Sequence, residues 1–327
     1  MNALPGWPFE TSPFHRGERE AQERAGTRER IEATGRRVIR DFLPEQHRAF
    51  FPLLPFLVVG SRGDGGGVTA SILSGTPGFA TSPDPSTLRV AALPDPADPL
   101  AGNLQRGAAL GILGIDLATR RRNRVNGVVA ALDGDGFTLA VRQSFGNCPQ
   151  YIQARDWRMA ADAPSEPRRA MAQPALGAEE AALIAAADTF FIASAYSGSE
   201  EAAHHGIDAS HRGGRPGFVR VDGERHLTFP DFGGNRYFNT IGNLLVEPRC
   251  GLVFVDFATG TTVQIAARAE IVWEGPELAA FAGAERLVRL AIERVLTRPH
   301  ALPLRWAFRE YSPVLEKTGR WAASEAS

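Results

Sequence analysis

Residues 70–79 read ASILSGTPGF and residues 209–218 read ASHRGGRPGF. The two decapeptides share six positions at a constant offset of 139, and they differ where the second carries His211 and Arg212 and the first Ile72 and Leu73. A second pair of phrases, GILGIDLAT at 111–119 and GLVFVDFAT at 251–259, shares Gly, Asp, Ala and Thr at an offset of 140. Two anchors at nearly one offset indicate an internal duplication. The polar pair kept in only one copy predicts that the copies have specialised.

Each copy runs through the same order. An apolar run (PFLVVGS at 55–61, TFFIASAYS at 189–197) leads through a turn to the PGF phrase, then come short strands (TLRVAAL, HLTFPDF), the IDLAT or VDFAT strand, and a further strand (RVNGVVAAL, TVQIAARAEIVW). Short β-rich runs punctuated by Gly, Pro and Asp predict antiparallel β-structure closing into a small barrel. Apolar residues at helical spacing predict helices in EREAQERAGTRERIEATGRRVIRDF at 18–42, ALGAEEAALIAAAD at 175–188 and PELAAFAGAERLVRLAIERVL at 276–296. The expected fold is mainly β with flanking helices. Its expected parts are an N-terminal helical segment (1–50), a first repeat (51–158), a linker (159–176), a second repeat (177–275) and a C-terminal helix and tail (276–327).

Composition narrows the function classes. The 327 residues are 43% hydrophobic and 22% charged with a formal charge of −1, as in ordinary soluble globular proteins. All but one of the 36 basic residues are Arg, yet they are interspersed with 37 acids, so the clustered charge of a nucleic-acid binder is missing. Cys148 and Cys250 show no metal or disulfide spacing. No run is long and apolar enough for a membrane helix, and the first twenty residues lack an export layout, so a cytoplasmic protein is expected. RGDGGG at 62–67 lacks the Lys-Ser or Lys-Thr of a phosphate loop, and neither GxSxG nor HExxH occurs.

The stretch GGRPGFVRVDG followed by LTFPDFGGNRYFNTIGNLLVEPRCGLVFVDF resembles the pyridoxamine 5′-phosphate oxidase-like split-barrel flavoproteins, and QSFGNCPQYIQARDW at 143–157 is similar to the phrase closing barrels of that family, with Gln150 in place of the usual Lys. The resemblance spans roughly residues 40–310 and implies two tandem split barrels forming an intrachain pseudo-dimer, with FMN at their junction. It implies a cofactor wall in copy two from His211, Arg212, Asp231, Asn235, Arg236 and Asn239, where copy one has Asp95, Pro96 and Ala97 at the matching offset. Copy one faces it with Arg122 and Arg124 of RRRNRVNG, suited to a flavin edge or an anionic substrate, and with Ser144 and Asn147. The implied activity is an FMN-dependent oxidoreduction of a small molecule, with electrons from NAD(P)H or a separate reductase. A homodimer is compatible with it. The alternative is a non-catalytic flavin or haem carrier.

The residues alone also fit plainer roles. His211–Arg212 suits a solvated strand edge, Asn235–Arg236 a helix cap and a surface cation, residues 120–124 a strand rim, and Cys148 a packed small side chain. His204 and His205 with His211 suit either a polar turn or a metal or haem site.

Overall fold

A computed structural model describes residues 4–161, 169–197 and 206–321. Helices α1 (Arg16–Arg24), α2 (Arg28–Val38) and α3 (Glu45–Arg48) precede β1 (Phe56–Arg62), β2 (Val68–Ser74), β3 (Ala80–Thr81), β4 (Thr87–Val90), α4 (Pro99–Asn103), β5 (Ala109–Asp116), β6 (Arg121–Asp133) and β7 (Gly136–Gly146). After β8 (Ala154–Met159) and β9 (Met171–Gln173) the pattern recurs. It runs through α5 (Ala178–Ala186), β10 (Thr189–Tyr196), β11 (Gly206–Gly213), β12 (Arg220–Asp222), β13 (His226–Phe232), α6 (Asn239–Val246), β14 (Arg249–Val255) and β15 (Thr262–Val272) to α7 (Pro276–Ala280), β16 (Ala284–Arg298) and β17 (Leu304–Glu310).

The chain is mainly β, and its sheets are antiparallel. The first sheet has the order β2-β1-β5-β6-β7-β4-β3 and the second β11-β10-β14-β15-β16-β13-β12. These are one strand order written twice, with β10 in the place of β1 and β16 in that of β7.

Local physics explains why the two phrases recur. Gly78 and Gly217 have φ of +100° and +85°, a region that only glycine enters without strain. The turn each makes folds its aromatic back: a Cβ on Gly75 would lie 2.6 Å from the Phe79 ring, and one on Gly214 would lie 2.3 Å from that of Phe218. The Asp-x-Ala-Thr phrase is a self-bonded hairpin turn, in which Ala118 N donates to Asp116 at 3.0 Å and Ala258 N to Asp256 at 2.8 Å.

The two halves pack face to face. Val58, Ala70 and Ile72 form one apolar cluster with Phe191, Ala209 and Val253. The contact is reciprocal: a Cβ on Gly111 of β5 would meet the Ile207 carbonyl of β11 at 2.0 Å, and one on Gly251 of β14 would meet Thr69 Cα of β2 at 2.5 Å. A surface that meets its own copy in this way is an isologous contact. β8 and β17 complete it as a two-stranded ribbon with Trp157 opposite Trp306.

Two helical expectations change. The stretch at 18–42 is broken at Gly26, whose φ is +64°, into α1 and α2. Beyond residue 276 the described residues hold only the short helix α7 and a 3-10 turn at Pro313–Lys317, and the expected C-terminal helix is instead the fifteen-residue strand β16. Leu290 and Ile292 are buried while Arg289, Ala291 and Glu293 are exposed, the alternation of a strand. The leucine-rich spacing satisfies both periods, and pairing with β13 and β15 on either side decides between them.

The close approach at Gly111 predicts that Gly111→Val will overpack the contact between the halves. A loss of about 1–3 kcal/mol is expected, read as a lower urea midpoint with an unchanged slope; an unaltered midpoint would contradict the packing described.

Candidate functional site

A cleft opens where the second half presents β11, β13 and the start of α6 to the start of β6 and the loop 147–151 of the first. Of the ten residues singled out from the sequence, nine line it: His211, Arg212, Asp231, Asn235, Arg236, Asn239, Arg122, Arg124 and Asn147. Ser144 does not. It is buried beneath, its hydroxyl donating to the Phe42 carbonyl at 2.5 Å and its backbone bridging to Arg40.

The loop from the first half is held by main-chain proximity. A Cβ on Gly213 would lie 2.0 Å from the Tyr151 carbonyl, so only glycine lets the loop lie on β11. Tyr151 then donates to the Gly233 carbonyl across the cleft at 2.9 Å and packs on Phe232 at 5.0 Å. Tyr151, Arg236 and Phe238 have φ of +66°, +64° and +62°, a left-handed conformation uncommon outside glycine that tends to gather at functional sites. Asn235 does not cap α6. Its Oδ1 accepts from Tyr237 N at 3.1 Å in a turn four residues ahead of the helix.

The charges are unevenly spent. Arg212 pairs with Asp231, whose other oxygen accepts from Arg286 Nε at 2.9 Å. Arg236 and Arg286 share Glu285, at 2.6 Å and 2.8 Å. Arg124, expected to read a ligand edge, is instead committed to the junction: it donates to Asp208 and the Ala209 carbonyl, both at 3.1 Å, and to Ser210. Arg122 has only a carbonyl, that of Cys148 at 2.8 Å, and makes no ion pair among the described residues. Burial, then Arg124 and Arg212 beside it, lower its pKa to about 9. The five guanidiniums thus meet three carboxylates, an excess of two positive charges.

Several donors are left over. Both ring nitrogens of His211, Arg212 Nε and Asn147 Nδ2 are buried without a partner, whereas buried polar atoms are as a rule hydrogen-bonded. Burial first, then Arg122 and Arg212, hold His211 well below its ordinary pKa, so its ring is neutral and offers one donor and one acceptor. The matching place against the first half keeps fewer vacancies, Gln264 Oε1 and the Thr262 hydroxyl, and no unpartnered nitrogen among the described residues. There Gln264 stands in for Arg124, donating to the Ala70 carbonyl at 2.9 Å, and the Asp98 carboxylate takes Ser71 and Arg298, each at 2.5 Å. Ile72 and Leu73 bring no donors to it.

Sequence reading missed Arg286, hidden in the stretch taken for a helix, and Tyr151, whose role rests on a loop conformation. Of the histidines considered as ligands, His204 and His205 lie outside the described residues, and no cluster of three metal-ligating side chains occurs among those described.

Residues 176–307 match the family model described as pyridoxamine 5′-phosphate oxidase. Over this segment the chain is similar to the pyridoxamine 5′-phosphate oxidase-like family. The matched segment carries β11, β13 and α6 with their cleft residues, while Arg122 and Tyr151 come from outside it. Similar solved structures include a protein from Lactobacillus delbrueckii named for the same oxidase (20% identity, 37% of this chain and 93% of that one, TM-score 0.30). HupZ of Group A Streptococcus (13%, 37% and 92%, 0.29) and a FAD-binding protein of Mesorhizobium loti (15%, 40% and 97%, 0.26) are also similar. No curated protein matches the chain.

Behind the cleft, Asn239 donates to Glu18 Oε1 at 2.5 Å, so α1 buttresses the start of α6. Burial first, then Asp208, raise the Glu18 pKa from 4.5 to about 8. The folded chain therefore keeps a proton that the unfolded chain releases, and stability falls as pH rises from about 4.5 through about 8. Urea midpoints should decline across that range in the wild type and decline less in Glu18→Gln; parallel profiles would show that Glu18 carries no such proton.

Proposed function

We propose that the cleft binds one FMN and that the protein is a flavin-dependent oxidoreductase acting on a small molecule. The observation that carries this reading is the excess of two positive charges beside unpartnered donors, in a cleft built by both halves. A phosphate monoester carries about −1.5 to −2 at neutral pH, which matches that excess in sign and size. The two like-ordered sheets are then tandem split barrels joined as an intrachain pseudo-dimer, with a single cofactor site. At the second junction the Asp98 carboxylate holds the place of an anion.

In this reading Arg122 meets the phosphate charge, joined by Arg212 Nε and by Asn147 Nδ2. The neutral His211 ring offers a hydrogen bond without adding charge. Arg236 differs from the role expected of it, since Glu285 neutralises it on the rim. The room between the cleft side chains is about 110 Å³, below the roughly 300–1,000 Å³ of small-molecule sites. Ligand entry therefore displaces the half-exposed Arg236–Glu285 pair, a rim contact of the kind worth about 0–1 kcal/mol.

When bound, FMN supplies the hydride and electron chemistry, and the protein supplies orientation and electrostatics. Tyr151, anchored to Gly233 and packed at a tilt on Phe232, closes one wall against water. Electrons come from NAD(P)H or from a separate reductase, and bleaching of the bound flavin by either distinguishes an enzyme from a carrier.

Titration of apoprotein with FMN and with riboflavin tests the assignment. Arg122→Ala removes a charge-assisted contact worth about 1.5–3 kcal/mol, so FMN should weaken roughly ten- to a hundred-fold while riboflavin changes little. A variant that still prefers FMN as strongly as the wild type would move the phosphate elsewhere.

A further inference from the structure

The second half holds another cavity, of about 550 Å³, between α5, the turn from β14 to β15 and the start of β10. Its origin lies in the duplication. Val58 pairs with Ile72 and Phe191 with His211, and Ile72 and His211 occupy the same place in the repeated phrase, so Val58 and Phe191 are equivalent. Counting back along each strand sets Ala187 in the place of Leu54 and Thr189 in that of Phe56. Leu54 and Phe56 are fully buried in the first half. The smaller side chains of the second half leave that volume open.

The lining is apolar on one side and acidic on the other. Leu183, Val263 and Phe257 form the apolar wall. Arg155 is neutralised by Asp188, whose two oxygens accept from its Nη2 at 2.8 Å and 2.7 Å. Glu179, Glu180 and Asp256 also line the cavity and have no cationic partner among the described residues, so it is negative overall. Thr189, 1% exposed, lines it with a hydroxyl that has no hydrogen-bond partner.

We infer that this cavity is a binding site for a small organic amine, whose apolar body lies on Leu183 and Val263 and whose ammonium faces the acidic side, toward Glu179, and donates to the Thr189 hydroxyl. The site is separate from the flavin cleft and shares no lining residue with it. Size and mixed lining suit a small ligand, and the unbalanced acids exclude an anionic one.

Calorimetric titration of the flavin-loaded protein with phenethylamine, 2-phenylethanol and 3-phenylpropanoate tests it. The amine should bind most tightly and the carboxylate not at all. Ala187→Leu, which restores the side chain of the first half, should abolish amine binding while flavin content is unchanged. Glu179→Gln, an exposed change on α5, should weaken the amine several-fold and leave the alcohol unaffected. Should Ala187→Leu lose its flavin and fail to fold, the Glu179→Gln comparison decides alone. Absence of amine binding to the wild type, binding that survives Ala187→Leu, indifference to Glu179→Gln, or a carboxylate that binds as well as the amine would each overturn the inference.

Discussion

Backbone lies on backbone where the two halves meet, and every feature of the cleft depends on that approach. Gly111 against Ile207 and Gly251 against Thr69 admit no side chain between them, so the sheets close to a distance at which Arg124 of one half can reach Asp208 and Ala209 of the other. Large apolar faces are unfavourable in water, and Ile72, Phe191 and Val253 are covered only because both halves are present. The cleft is therefore a property of the pair: Arg122, Asn147 and Tyr151 come from one half and His211, Arg212 and Asp231 from the other.

One strand order carrying different side chains in its two occurrences accounts for the asymmetry across this contact. At one junction the position of Arg124 is kept as an arginine and the neighbouring strand carries His211 and Arg212, leaving donors without partners. At the other, Gln264 Nε2, Ser71 and Arg298 gather around Asp98, and the atoms left without a partner are Gln264 Oε1 and the Thr262 hydroxyl. Buried polar networks are stable when every member is paired and costly when one is not. The first junction thus leaves unpartnered nitrogens beside excess positive charge, whereas the second is centred on a carboxylate. The cavity under α5 reflects the same asymmetry, since Ala187 and Thr189 are the smaller counterparts of Leu54 and Phe56.

Much of this was legible in the residues. Repeated Gly-x-Pro-Gly-Phe and Asp-x-Ala-Thr phrases encode local turns, and turns are written in short stretches, so the duplication and the antiparallel plan could be read directly. Nine of the ten residues proposed for the cleft line it because the phrases that carry them sit at strand ends turned toward the junction. What could not be read were consequences of long-range pairing. The run 284–298 fits a helix or a strand, and only β13 and β15 beside it decide. Ser144 alternates toward the N-terminal segment, which no local pattern reveals. The commitment of Arg236 to Glu285 and of Arg124 to Asp208 depends on residues 49 and 84 positions away, so the sequence could nominate these cations without showing that they are already neutralised.

The central claim is that two like halves share one cofactor site. It is tested most directly by saturating the purified protein with FMN, removing the excess, and measuring the flavin released on denaturation against protein concentration. One FMN per chain is the predicted result, because among the described residues only one junction combines unpartnered side-chain nitrogens with an excess of positive charge. A saturated ratio near two, or none retained, would contradict it.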